Sequence, residues 1–468
     1  MIETTGDLHR TLEGRNELTH IHAAVIDNTG QMRGKTYSLD KFLKGLECGI
    51  ALTSNLASAD TSDVIFLIDG LMGGDSSFSD SLVHPVPETL REIPWESPRR
   101  NLQILMEYSG DAAAFACPRS LCKKQLARAE QMGFRLNASF ELEFRLFRES
   151  LTQAIEKGFR DLTPCPELKQ YLGVQRHQCD NDYLNGLLDT MVDMDFDIET
   201  YHTELDAGLH EMVMRYQSGM RAADDCSYIR TFIKIFTQRY GRLASFMARP
   251  SDDEDGSGLH SHISLQRLDG GQIFYDENAP YHMSDVMRHF IGGLQRKLPE
   301  LQLMLSPNVN SFRRFKPWLN APVATSWGID NRTVGLRVVG NDSPNSIRVE
   351  NRLTGADANP YFVLAATLAA GLWGIETCAE PTQELTGTSW DKTDQLPDWV
   401  QLHTKMDSAI HAFRQSELAQ DAFGSEFVRV FSENRRMQNE EFNEYLTETG
   451  QDGEMVTDWE LRRFLELS

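Results

Sequence analysis

The chain has 468 residues, 46 Lys and Arg against 69 Asp and Glu, a formal net charge of −23, 40% hydrophobic and 25% charged residues. That is the composition of an ordinary globular chain, which excludes collagen-like, low-complexity and wholly disordered architectures and allows two or three domains at roughly 150 residues each. The acidity excludes nucleic acid and an anionic membrane surface as main partners, because attraction to phosphate needs a basic face.

The first residues, MIETTGDLHRTLEG, hold no basic region followed by an apolar run, so no secretory signal is expected. Residues 19–27 predict a strand, 28–30 a turn and 33–37 a second strand, the start of a small β-rich N-terminal unit whose strands give way to the Pro- and Trp-punctuated segment 84–98. Pro118 opens an amphipathic helix that ends before Gly133, and 134–147 alternates polar and apolar residues as a strand does. A helix-like run at 221–241, a polar, flexible loop at 251–258, a strand at 259–265, a helix at 281–297, strands at 333–339 and 346–353 and helices from 361 onward complete the pattern. Helices segregated from strands that read as antiparallel predict an α+β fold. The longest apolar stretch, Tyr361 to Ile375, is shorter than the roughly 18–20 residues of a bilayer span, so no membrane partner is expected. Seven cysteines, odd in number and never spaced Cys-x-x-Cys, argue against a disulfide framework or a zinc cage and for a reducing cytoplasm.

Chemistry concentrates on short alternating segments. Glu141 and Glu143 are two apart on a predicted strand and so share a face, as do His260 and His262. Arg348, Glu350 and Arg352 alternate with the apolar Ile347 and Val349, and Arg313, Arg314, Arg332 and Arg337 lie close by in the chain. Glu204 and Glu211 flank a glycine in what reads as a turn. Taken singly, these are equally a solvated strand face, a structural histidine pair, a surface salt-bridge ladder and a charged turn. Taken together, carboxylates with a histidine select a hard divalent ion such as Mg²⁺ or Mn²⁺, and arginines beside them suit phosphate. No P-loop, no Gly-x-Gly-x-x-Gly after a strand and no Gly-x-Ser-x-Gly elbow is present, which points to metal-assisted phosphoryl chemistry on another scaffold.

The ordered motifs Arg33-Gly34-Lys35, GGD at 73–75, FELEFRLF at 140–147, HTELDAGLHE at 202–211, ASFMARP at 244–250, GSGLHSHISL at 256–265, NSFRRF at 310–315, NRTVGLRV at 331–338 and RVENRLTGADANPY at 348–361 resemble those of glutamine synthetases. The resemblance implies an N-terminal β-grasp-like domain over 1–110 and a catalytic domain over 111–468 with a curved antiparallel sheet. It implies one metal on Glu143, Glu204 and Glu211 and a second on Glu141, His260 and Glu350. Arg314, Arg352 and Gly256 match positions that hold glutamate; Tyr216, His262, Ser264, Arg337 and Arg348 match the nucleotide side; Arg332 matches an arginine placed to stabilise the transferring phosphoryl group. The implied reaction phosphorylates the glutamate γ-carboxylate with ATP and then releases phosphate to an attacking amine. Self-association into hexameric rings stacked as a dodecamer is also implied.

Departures from the ammonia-using pattern select the substrate. Where those enzymes carry a flap Glu before Ala-Pro, this chain has Asn320, which cannot act as a base, and the Asp-Gly-Ser-Ser segment of the N-terminal domain is absent. Gly208-Leu209-His210 lacks the Gln of the usual glutamate loop. The wording is similar to that of the γ-glutamyl-amine ligases, with Trp318 and Leu319 leaning toward a monoamine carrying an apolar group. An ammonia-using glutamine synthetase and a catalytically silent relative are the competing readings.

Overall fold

The computed structural model describes residues 2–71, 79–178, 180–316, 318–319 and 321–468. The GGD motif at 73–75 and the flap residue Asn320 lie outside the described residues. Two sheets organise the rest. In the first, β1 (His20–Ile26), β2 (Met32–Ser38), β3 (Ile50–Thr53), β4 (Asp80–Pro85), β5 (Arg91–Glu92) and β6 (Leu102–Tyr108) lie in the order β2-β1-β6-β4-β3, with β5 beside β6. The expected first hairpin is present, Ile26 opposite Met32, closed by Asp27 accepting from Thr29 N (2.8 Å) and Gln31 N (3.0 Å). Gly30 there has φ +81, and a Cβ would lie 2.4 Å from Arg230 Nη2, so both the turn and the docking of its tip demand glycine. β1 runs parallel to β6, a departure from an all-antiparallel reading.

The second sheet comprises β7 (Phe134–Phe147), β8 (Ile198–Thr203), β9 (Leu209–Met214), β10 (Gln217–Ser218), β11 (Leu243–Ser245), β12 (Leu259–Arg267), β13 (Trp327–Ile329), β14 (Leu336–Val339) and β15 (Arg348–Asn351), in the order β13-β14-β15-β12-β7-β9-β8 with β10 and β11 on β7. Period-two alternation sends Leu136, Ala138, Phe140, Leu142, Phe144 and Leu146 of β7 into the core and Asn137, Ser139, Glu141 and Glu143 to the other face. The helices α1 (Thr5–Glu13), α2 (Leu39–Cys48), α3 (Pro118–Gln131), α4 (Leu151–Glu156), α5 (Val174–Gln178), α6 (Asn181–Asp193), α7 (Arg221–Arg239), α8 (Asp285–Leu305), α9 (Pro360–Thr377), α10 (Met406–Gln415), α11 (Glu417–Phe423), α12 (Ser425–Thr449) and α13 (Asp458–Phe464) supply most of the remaining core.

Three expectations are corrected. The segment 202–211 is a strand hairpin, β8 to β9, because Met212 and Met214 alternate into the core while Leu209 and Glu211 share the opposite face. The helix expected at 281–297 starts at Asp285, where Ser284 accepts from Met287 N (3.2 Å), and continues through Pro299 to Leu305. The loop 251–258 is pinned rather than free: Arg249 Nη2 donates to Asp252 O, Arg145 Nη2 to Asp255 O (both 2.7 Å) and Ser257 N to Ala248 O (2.8 Å). Among the described residues no helix is long and apolar enough to cross a membrane.

Candidate active site

Strand register assembles the site. Glu141 on β7 stands opposite His260 on β12, Glu143 opposite Glu211 on β9, and Glu211 opposite His202 on β8. On the other side His262 stands opposite Glu350 on β15, and Glu350 opposite Arg337 on β14. Residues directly opposite share a face, so one polar surface crosses six strands. Leu259, Ile263 and Leu265 are buried on the reverse of β12 rather than around the histidines.

Three overlapping groups result, each with ligand atoms within 4.8 Å of one another: Glu141, His260 and Glu350; Glu143, Glu211 and His260; His202, Glu204 and Glu211. His262 Nδ1 accepts from Arg348 Nε (3.0 Å), which leaves its Nε2–H to donate to Glu141 Oε1 (2.8 Å). Burial alone would raise Glu141, but His260 and His262 hold its carboxyl well below the usual range. Glu350 is fully buried and also sits low, at about 2: burial opposes this, and Arg352 outweighs it. Glu211 goes the opposite way, pushed up to about 10 by burial and by repulsion from Glu141, Glu143, Glu204 and Glu350. Carboxylates that cannot all ionise without a counter-charge are the signature of a site suited to hard divalent cations.

Arginines border this surface. Arg352 pairs with Glu350 Oε1, and Arg337 bridges Glu350 Oε2 (3.0 Å) and Asp330. Arg314 donates from Nη1 to Leu353 O (3.2 Å), while the buried Nε atoms of Arg314 and Arg352 find no hydrogen-bond partner among the described residues. Unpaired buried guanidinium nitrogens beside a cavity suit an anionic ligand. Arg313, expected in the same cluster, turns away and forms a two-pronged pair with buried Glu460 (3.0 and 3.1 Å).

A cavity of about 260 Å³ opens over these groups, lined by Glu141, Glu143, Glu204, Glu211, His260, Arg314, Arg332, Arg352 and Gly256 among others. A Cβ on Gly256 would approach Arg314 Cγ to 2.6 Å and Ala248 O to 2.8 Å, so only glycine fits. Tyr216, His262, Ser264, Arg337 and Arg348 lie outside that lining; His262 and Ser264 continue along β12, and exposed Tyr216 precedes β10. A cavity of about 530 Å³ behind 250–254 is larger, but its acidic residues form no ligand group among the described residues, so chemistry and not volume selects the smaller one.

His202 escaped the sequence reading. Its Nε2 lies 3.0 Å from Glu204 Oε1 and 3.5 Å from Glu211 Oε1, and the signal was the same i, i+2 spacing, His202-Thr203-Glu204, that marked the other strands. Trp390 and Tyr171, also on the cavity lining, come from segments without any motif.

The model of the glutamine synthetase catalytic domain matches residues 115–453. The chain belongs to the glutamine synthetase family. It is 30% identical over 456 residues to the glutamate–isopropylamine ligase of a Pseudomonas species (97% of this chain, 96% of that one) and 31% identical over 466 residues to the gamma-glutamylethanolamide synthetase GlnA4 of Streptomyces coelicolor (98% and 95%). A solved GmaS–ADP complex superimposes with a TM-score of 0.81 at 24% identity, covering 97% of this chain and 98% of that one, a likeness of fold. As a glutamine synthetase family member with the α+β fold of that family, the chain is an ATP-dependent carbon–nitrogen ligase. Enzymes of this family use ATP and divalent metal ions.

Proposed function

We propose that this family member joins the γ-carboxylate of glutamate to an organic primary amine at the expense of ATP, through γ-glutamyl phosphate, giving a γ-glutamylamide, ADP and phosphate. The observation that carries the reading is the convergence of six ligand-type side chains on one sheet face beside arginines whose buried Nε atoms lack partners. The donor set fits Mg²⁺ or Mn²⁺: oxygen donors predominate, one imidazole joins them, and the repulsion that raises Glu211 is what a cation relieves. We assign Glu141, His260 and Glu350 to one ion and Glu143, Glu204 and Glu211 to the other. When bound, such ions neutralise phosphate charge and orient the reacting oxygens.

The chain's own residues supply the rest. Arg314 and Arg352 hold the glutamate carboxylates against the wall that Gly256 keeps open, which fixes the γ-carboxylate over the carboxylate cluster. His262, Ser264, Arg337, Arg348 and Tyr216 hold the nucleotide, with Arg348 orienting His262 through Nδ1. Arg332, exposed at the cavity rim, meets the negative charge that develops on the transferring phosphoryl group. Activation precedes amidation because a free carboxylate is a poor acyl donor. Asn320 in place of a flap base and two nearly full-length relatives named as amine ligases support an amine over ammonia. Residues 1–110 are taken as the N-terminal β-grasp-like domain and 111–468 as the catalytic one, assembled in the cytoplasm as hexameric rings.

Phosphate release from glutamate, ATP and Mg²⁺ with a panel of amines and ammonia, with products weighed by mass spectrometry, tests the reading. Turnover with at least one organic amine above that with ammonia is expected. Best turnover with ammonia makes the protein a glutamine synthetase, and no glutamate-dependent turnover makes it a silent relative.

A further inference from the structure

The lining of the catalytic cavity divides by chemistry. Glu141, Glu143, Glu204 and Glu211 belong to the ligand groups, and the arginines flank them. The remaining wall is largely apolar: Tyr171, Leu205, Leu209, Leu319, Ala321 and Trp390. Trp390 is held in place from the catalytic side. Ser389 N donates to Thr333 Oγ1 (2.9 Å), Ser389 Oγ to Thr333 O, and Asn331 Nδ2 to Leu385 O (3.0 Å) and Gly387 O (2.9 Å). The segment that carries Trp390 is therefore clamped to the residues on either side of Arg332. Its ring packs at 5.0 Å and 53° against Trp318, which is 61% exposed with a left-handed φ of +69. A bulky side chain in that conformation is strained, and such strain persists where the surroundings impose it. Tyr171 and Leu205, 46% and 44% exposed, are further apolar lining.

We infer that the acceptor site selects primary monoamines with an apolar substituent, and that Trp390, packed against Trp318, is the residue that sets this selectivity; the inference rests on the ligase reading above. An alkyl or aryl group leaving water for the indole faces gains with each methylene, whereas a second ammonium at the same place loses its hydration. The carboxylates that could offset that loss are taken up in the ligand groups, and Asp255, the other acid on the lining, is engaged within the protein.

Butylamine and 1,4-diaminobutane have the same carbon chain and differ by one terminal ammonium, so their kcat/KM ratio reads the inference directly. Butylamine is expected to exceed both 1,4-diaminobutane and methylamine by at least about tenfold, the effect of a few methylenes in an apolar pocket. Trp390→Ala is expected to lower the butylamine to methylamine ratio at least about tenfold, and Trp390→Phe to restore most of it. A diamine used as well as butylamine, or a ratio within about twofold of wild type in Trp390→Ala, overturns the inference. Formation of γ-glutamyl hydroxamate from glutamate, ATP and hydroxylamine separates the two failures. If hydroxamate forms but the amine ranking fails, only this inference falls; if neither hydroxamate nor any amide forms, the ligase reading falls and takes this one with it.

Discussion

Glu350 ties the two halves of the site together. Fully buried, it accepts from Arg337 and Arg352 and lies 3.9 Å from His260, so one carboxylate orients a proposed ligand and two arginines. Glu350→Gln keeps the volume and removes the charge; Arg352 loses its counter-ion and Arg337 is left with Asp330, and amide-forming turnover is expected to fall by about 10²-fold or more in a phosphate-release assay. Retention of wild-type turnover would remove Glu350 from the machinery. Gly256 is the complementary case, where the lack of a side chain matters. In Gly256→Ala the new methyl must displace both Arg314 and the Ala248 carbonyl, and the expected result is a raised KM for glutamate of roughly tenfold together with a lowered melting temperature. An unchanged KM would show that Arg314 moves aside without loss.

Elements place these residues through register, and helices hold the register. α8 and α9 approach until a Cβ on Gly293 would lie 2.3 Å from Ala370 O and one on Gly374 2.2 Å from His289 O. Backbone atoms cannot move aside as a flexible side chain can, so Gly374→Val is expected to destabilise by about 3 kcal/mol, read as a lower denaturation midpoint. Arg119 on α3 is a second clamp: it donates to Asp224 (3.0 and 3.1 Å), Glu107 (2.8 Å) and Glu88 (3.0 Å), joining β6 of the first sheet and the turn before β5 to α7. Removing it in Arg119→Ala leaves buried Asp224 with only the Tyr361 hydroxyl (2.6 Å) among the described residues, a loss of about 3–5 kcal/mol in chemical denaturation. A loss below about 1 kcal/mol would mean that water replaces the guanidinium.

At the scale of the whole molecule, the carboxylate cluster couples cation binding to pH. Glu211, ordinarily near 4.5, is pushed up to about 10 in the fold. The folded protein thus binds that proton more tightly than the unfolded chain, and the stability this adds is full below 4.5 and fades as pH rises toward 10. Glu141 has the opposite sign, its contribution being lost only in acid. A divalent cation favours ionised Glu211, so the rise in melting temperature on adding Mn²⁺ is expected to be larger at pH 9 than at pH 6. The increment is the quantity to measure, because Lys234, pushed down to about 8 by burial, titrates in the same window. An equal increment at both pH values would contradict the coupling.

The alternation in FELEF, LHSHISL and RVENR made the faces of β7, β12 and β15 legible, because side-chain direction in a strand is a local, period-two property. The first hairpin and the helix after Pro118 were legible for the same reason, through turn and cap chemistry. Partners across strands need not be local. The β8–β9 pairing that joins His202 to Glu211 is local, but the docking of that hairpin beside Glu143 on β7, the turn of Arg313 to Glu460 while Arg314 faces the cavity, and the delivery of Trp390 to the wall by bonds to 331–333 all depend on contacts between segments tens to hundreds of residues apart. The chain by itself determined the inventory of donors and the face each occupies; only the packed sheet and its docked loops decided which of them meet, since register and burial come from long-range packing that no local pattern encodes.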